Sequence, residues 1–223
     1  MKKWLQRSAL VLLTALLAAG LVYQLGLRNW CLRWGTTPAE VHATLPGDDL
    51  FPLYAGEATH AITIHASPQQ VWPWLMQIGQ DRSGFYSYTF LENAFRCDMP
   101  KLERLATEWK PRTPGETVWF CTPKRFGGQA RMVAAAVLPG RSFVMVSPND
   151  WENLQAGRPA QEAFWSFTLE PLADGQSRLI ARVRGTTPPT LASRAVGRLF
   201  WEPAHFVMEQ KMLRTIRDLS ERG

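Results

Sequence analysis

The chain is poor in the residues and patterns that most often announce a function. Its only cysteines are Cys31, Cys97 and Cys121, too few and too irregularly spaced for a zinc site or a disulfide framework. They leave the compartment open. The net charge is +6, yet Lys and Arg are scattered, with no basic run and no recognition motif, so nucleic acid is not expected as a partner. Attraction to an anionic membrane surface fits the same charge. No nucleophile elbow, phosphate loop or cofactor fingerprint occurs, and no cofactor or metal is expected. Internal repeats and low-complexity segments are absent as well. What the chain does have is bulk: 46% hydrophobic residues, with ten tryptophans and eleven phenylalanines. That is enough for a real core in one domain, and large rings either fill cores or line apolar pockets.

The uncharged residues are concentrated at the start. Lys2, Lys3 and Arg7 precede a charge-free run over residues 8–27, long enough to cross a hydrocarbon core of ~30 Å. A cleaved signal peptide would also begin this way, but no A-x-A site followed by polar sequence appears. Tyr23, Trp30 and Trp34 with Arg28 and Arg33 instead resemble an interfacial belt beyond a membrane span. Residues 1–30 therefore read as a single-pass anchor. The basic residues leading the span, against Arg28 and Arg33 beyond it, point by a small margin to the N-terminus inside and the domain outside the cytoplasm. Nowhere else does an uncharged run reach membrane length.

Residues 31–58 carry Pro38, Pro46, Gly47, Pro52 and Gly56, which break any long element, and read as a linker packing across the domain. A half-buried strand is predicted over 60–66, with Ile62 and Ile64 on one face and Thr63 and His65 on the other. Ser67 and Pro68 then open a helix whose apolar side is Val71, Trp72, Leu75, Met76 and Ile78 and which stops at Gly79. A second helix is predicted over 84–95. Strands follow at 117–122, 130–138, 142–147, 163–171 and 177–184, joined by PKRFGG, PG, SPND and ADGQ turns, as in an antiparallel meander with one greasy and one wet face. The last element, 203–219, is an amphipathic helix. At about 100° per residue, Trp201, His205, Met208, Met212, Ile216 and Leu219 share a stripe, with Phe206 and Leu213 at its margin. Glu202, His205 and Glu209 fall on or beside it, where a carboxylate is costly unless paired or wet.

The segments RWGTTPAEVHATLPGDDL, ITIHASPQQVWPWLMQIGQ, GFYSYTFLENAF, CDM and EPAHFVMEQKMLRTI resemble those of membrane-anchored, polyketide cyclase/dehydrase-like members of the SRPBCC superfamily, the START and Bet v 1-like helix-grip proteins. The resemblance spans residues 33–222. It implies an α+β fold in which a curved antiparallel sheet grips the C-terminal helix around a hydrophobic cavity, with the helix-grip domain at 59–223. It does not fix a reaction, because fold is poor evidence of chemistry. The expected function is a membrane-tethered binder of a hydrophobic small molecule or lipid, with Tyr86, Tyr88, Trp119, Trp165, Phe167, His205, Met208 and Met212 as cavity candidates. The alternative is a cyclase- or dehydratase-like enzyme in which Glu209 acts as acid or base with His205 or Tyr88 as partner. A blander reading pairs Glu209 with a sheet arginine, Arg131 or Arg182, and leaves His205 neutral. Glu202 and His205 also have the E-x-x-H spacing of helical metal ligands, but the matching sites on other helices are missing.

Overall fold

The computed structural model of the protein describes residues 2–222. Six strands, β1 (Gly56–Ile64), β2 (Thr117–Trp119), β3 (Arg131–Leu138), β4 (Ser142–Val146), β5 (Ala163–Pro171) and β6 (Ser177–Gly185), form one sheet in the order β1-β6-β5-β4-β3-β2. Every neighbouring pair is antiparallel. The first strand closes against the last, from Gly56 opposite Gly185 to Ile64 opposite Ser177. Helix α1 (Lys2–Val22) passes through a π-turn, Tyr23–Leu27, into α2 (Arg28–Leu32); α3 (Pro38–His42), α4 (Pro68–Met76), α5 (Thr89–Ala94) and α6 (Pro148–Gln155) are short. Helix α7 (Leu191–Val196) continues through a second π-turn, Gly197–Trp201, into α8 (Glu202–Ser220). This is the α+β helix-grip arrangement expected from the sequence.

The period of two along the strands sorts their side chains. Trp165, Phe167, Leu169, Leu179 and Ala181 face α8 and pack with its Met212, Leu213, Ile216 and Leu219 and with Val71, Trp74 and Leu75 of α4. The start of α4 is as read: the Ser67 N–H and hydroxyl both donate to Gln70 Oε1, 2.9 Å each, and Pro68 sits where a missing N–H costs nothing; the helix ends at Met76, short of Gly79, and buries Trp74 where Trp72 was expected. The face of α8 is rotated slightly from the expected one. Phe206 and Leu213, placed at the margin, are buried, whereas Trp201 is exposed.

The reverse face of the sheet departs from expectation. Arg182 and Arg184 read as wet, yet both are buried under residues 35–58. Arg182 pairs with Asp48 and donates to the carbonyls of Glu40, Val41 and Ala43 and to Thr59 Oγ1. Arg184 reaches Asp48 at 3.1 Å and Glu57 at 2.8 Å, and Arg178 reaches Glu40 at 2.6 Å. A guanidinium can leave water when nearly all its donors are answered, as here. Gly35 lets the segment press this closely: at φ +74° it lies where a Cβ would come within 2.0 Å of the Ala61 carbonyl oxygen.

Three further expectations are corrected. The helix over 84–95 shrinks to Thr89–Ala94, because Tyr86 takes a left-handed φ of 55° and the Ser87 hydroxyl is bonded to the Met208 carbonyl at 2.8 Å. The SPND turn is the start of α6, capped by Ser147 accepting from the Asp150 N–H at 3.1 Å. Cys97 and Cys121, whose spacing announced no disulfide framework, form a disulfide; it ties the loop after α5 to the segment just past β2. In sequence they are 24 residues apart, with nothing local to bring them together.

This packing predicts how α8 responds to charge. Met212 and Ile216 are 1% and 0% exposed, and burying such side chains contributes roughly 2 kcal/mol each. Met212→Asp or Ile216→Asp should cost several kcal/mol and abolish cooperative thermal unfolding of the detergent-solubilised chain, a buried unpaired charge being the cause. Lys211→Asp on the adjoining, half-exposed position should shift the melting temperature little; equal tolerance at all three would mean that α8 packs by another face.

Candidate functional site

The register of the sheet brings one charged residue of α8 against two ring nitrogens. His60 stands opposite Ala181 and Trp165 opposite Val183, all on the face toward α8, and Glu209 lies on α8 one turn after His205. The Glu209 side chain is 1% exposed. Its Oε1 accepts from the Trp165 indole N–H at 2.6 Å, and its Oε2 shares a short hydrogen bond with His60 Nδ1. His60 Nε2 donates in turn to the carbonyl oxygen of Cys31 at 2.7 Å. His205 Nε2 lies 3.5 Å from the same Oε2 and has no hydrogen-bond partner.

Donor counting constrains this cluster. The Cys31 carbonyl can only accept, so His60 Nε2 carries a hydrogen; one more proton then lies between Nδ1 and Glu209 Oε2. The His60–Glu209 pair is neutral overall wherever that proton sits. Burial pushes the Glu209 carboxyl up, but His205 and His60 beside it outweigh burial and hold it far below the usual carboxylate range. Burial lowers His205, and the Glu209 carboxylate more than reverses this, leaving His205 above its ordinary value.

The expected pairing of Glu209 with Arg131 or Arg182 is therefore not the one formed. Arg182 is committed to Asp48 on the other face of the sheet, and Arg131 lies over the Trp119 ring, 5.5 Å from its centroid. The E-x-x-H pair is also divided: Glu202 bonds Arg28 of α2 at 2.7 and 2.9 Å, while His205 turns to Glu209.

Beside the cluster a cavity of about 430 Å³ lies between the sheet and α8. Its wall is mainly apolar, with Phe85, Phe120, Met132, Trp165, Met208 and Met212, and its polar members include Ser87, Glu92, His205 and Glu209. Glu92 Oε2 is buried without a partner, and burial raises this carboxyl to about 7. Of the cavity candidates named from the sequence, Trp165, His205, Met208 and Met212 line it. Tyr86 and Tyr88 line a separate pocket of about 320 Å³ with Lys211 and Thr215; Phe167 is fully buried in the core, and Trp119 lies under Arg131. Tyr88 is thus not brought to Glu209. Sequence reasoning missed Phe85, Glu92, Phe120, Met132 and His60. For His60 a signal existed: it shares strand parity with Ile62 and Ile64, so it belonged on the greasy face where Glu209 needed a partner.

A second hollow of about 530 Å³ lies between α2 and the start of α8, with Arg28, Cys31, His60, Trp201, Glu202 and His205 in its wall. His205 and Trp201 line both spaces, so the cluster stands at the partition between the interior and the side next to the N-terminal helix.

A sheet gripping a long terminal helix, with an apolar cavity between them, defines the class as helix-grip proteins. No family model matches the chain, and no curated protein matches it. Solved structures similar to it include a protein of Mesorhizobium loti (14% identity, 75% of this chain and 98% of that one, TM-score 0.38) and a protein of Nitrosomonas europaea (12%, 74% and 94%, TM-score 0.41). A third is a polyketide-cyclase-like protein of Corynebacterium glutamicum (16%, 74% and 90%, TM-score 0.35). At such identities the likeness concerns the fold alone.

The cluster sets a pH dependence. Glu209 is depressed in the fold, so its contribution is complete above the ordinary carboxylate value of 4.5 and is lost as pH falls below it. His205 is raised, so its contribution is complete below 6.5 and is lost as pH rises above it. Stability from this source should therefore peak between the two. Glu209→Gln can still accept from Trp165 and donate to a neutral His60, because a histidine, unlike an arginine, can shed its proton. We expect Gln to cost about 1 kcal/mol and to flatten both limbs of the melting-temperature profile, and Glu209→Ala to cost about 3 kcal/mol or more. An unchanged profile in Glu209→Gln would show that Glu209 is not the titrating partner.

Proposed function

We propose that the protein is a membrane-tethered binder of a hydrophobic small molecule or lipid, held in the cavity between sheet and α8. The observation that carries this reading is the cavity itself: its volume falls in the range of ligand pockets, roughly 300–1,000 Å³, and it has the same make-up, an apolar wall with a few convergent polar groups. One of those groups, Glu92 Oε2, is buried without a partner, a state that costs ~1–3 kcal/mol unless something answers it. A ligand with an apolar body and one hydrogen-bonding head fits both requirements.

The tether is residues 1–30, with 31–58 as the packed linker and 59–223 as the binding domain. Among the described residues one helix, Gln6–Leu32, is long and apolar enough to cross a membrane. The domain is assigned to the outside of the cytoplasm, a reading supported by the Cys97–Cys121 disulfide, since such bonds persist in oxidising compartments, and by the charge difference across the span.

A second reading, an enzyme acting on such a ligand, draws on His205: its Nε2 at the cavity wall, 3.5 Å from the Glu209 carboxylate, has the form of an oriented acid–base pair.

Native mass spectrometry of the gently solubilised full chain tests both readings. The expected result is a bound apolar species on the wild type, absent from Met208→Trp, which fills the cavity while melting within a few degrees of the wild type. A wild type that carries nothing and takes up no apolar dye would overturn the binding reading. Chemically altered ligand released by the wild type and unaltered ligand released by His205→Ala would favour the enzyme.

A further inference from the structure

The helix that ends the fold starts well before the domain needs it. Leu191, Val196, Leu199, Phe200 and Trp201, in the eleven residues ahead of α8, are 52–82% exposed, and the helix is unbroken from Leu191 to Ser220 because both flanks of the π-turn keep right-handed helical backbone. A run of large apolar side chains left in water on one projecting helix is rare in soluble domains and marks a contact surface.

Contacts along the N-terminal helix say what covers it. A side chain at Gly20 would meet Leu199 at 3.5 Å, Arg28 bonds Glu202, and Trp30 packs edge-on against Phe206 with centroids 5.3 Å apart. The pairs occur in the same order on both helices, so the two run side by side in the same direction. Going back from Trp201 to Leu191, about 15 Å at 1.5 Å per residue, therefore means going back along the anchor, from its aromatic and basic end toward its uncharged middle. The segment that leads in, residues 185–193, contains no charged residue. The first charges met are Arg194, whose guanidinium donates to the Pro188 carbonyl at 2.9 Å, and Arg198, whose long stem lets a guanidinium reach the headgroup level from below.

We infer that residues 191–201 form a second membrane element, a half-helix lying in the same leaflet as the outer end of the anchor, with the lipid bilayer as its occupant. The inference rests on the tethering proposed above. It gives the 530 Å³ hollow a location: Arg28, Arg198 and Trp201 hold its wall at the bilayer surface, and Trp201 and His205 separate it from the inner cavity. A lipid leaving the bilayer beside the anchor would meet that partition first.

Nitroxide labels on the full chain in vesicles of phosphatidylcholine and phosphatidylglycerol test this, in a Cys31→Ser background. Leu191→Cys and Val196→Cys report on the half-helix, Leu12→Cys on the anchor, and Leu172→Cys on the β5–β6 turn at the far end of the strands, roughly 30 Å away at 3.3 Å per residue. All four positions are exposed, so folding is not at risk. Labels at 12, 191 and 196 should be reached by dissolved oxygen and shielded from a water-soluble nickel chelate, with the opposite at 172. Labels at 191 and 196 in water while 12 lies in lipid would overturn the half-helix and leave the tether standing. All four in water would overturn both.

Discussion

The interaction on which most else depends is the burial of one carboxylate. Glu209 sits where α8 crosses the sheet, and a charge there would favour unfolding by several kcal/mol if left alone. Three elements answer it at once: β5 through the Trp165 indole, β1 through the His60 imidazole, and, one bond further on, α2 through the Cys31 carbonyl. The chain thus joins its first third, its sheet and its last helix at a single point. An apolar residue of the same size would pack as well, but it would not tie the grip of the helix to the position of α2.

That point also explains the division of the interior. On one side of His205 and Trp201 is an apolar cavity with one unanswered carboxyl oxygen, on Glu92; on the other is a hollow whose wall is shared with α2. The cluster is a partition made of polar groups in a site otherwise built from rings and thioethers. Polar groups so placed give orientation to whatever enters, and rings give it volume.

Much of the fold was legible because its pieces obey local rules. The alternation in β5 and β6, the Ser67-Pro68 start of α4 and the period of α8 each follow from short-range chemistry, and the structure contains all of them. What was not legible depends on distant pairing. Arg182 has the parity of a solvent-facing residue, and only the return of residues 40–48 over the sheet makes it a buried one. Cys97 and Cys121 meet because the loop after α5 folds back on β2. The helix predicted from Gly84 is cut short by Tyr86, whose backbone answers to the packing around Ser87 and Met208 and not to its own propensity. For the cavity, α8 and β5 supplied the legible half, His205, Met208 and Met212 from the helix and Trp165 from the strand. The other half comes from scattered places: Phe85 and Phe120 from loop, Glu92 from the short α5 and Met132 from β3.

The cover that residues 35–58 place over the sheet has a mechanical consequence. Arg178, Arg182 and Arg184 fasten it to β6 through Glu40, Asp48 and Glu57, so the stretch between anchor and domain is not a leash whose reach grows with its length. Under the proposed tethering the domain cannot swing out to sample the bulk solution; its height and tilt over the bilayer are fixed by the same guanidiniums. Encounters with a ligand or partner then become a two-dimensional search by lateral diffusion, with the mouth of the hollow always presented at one level.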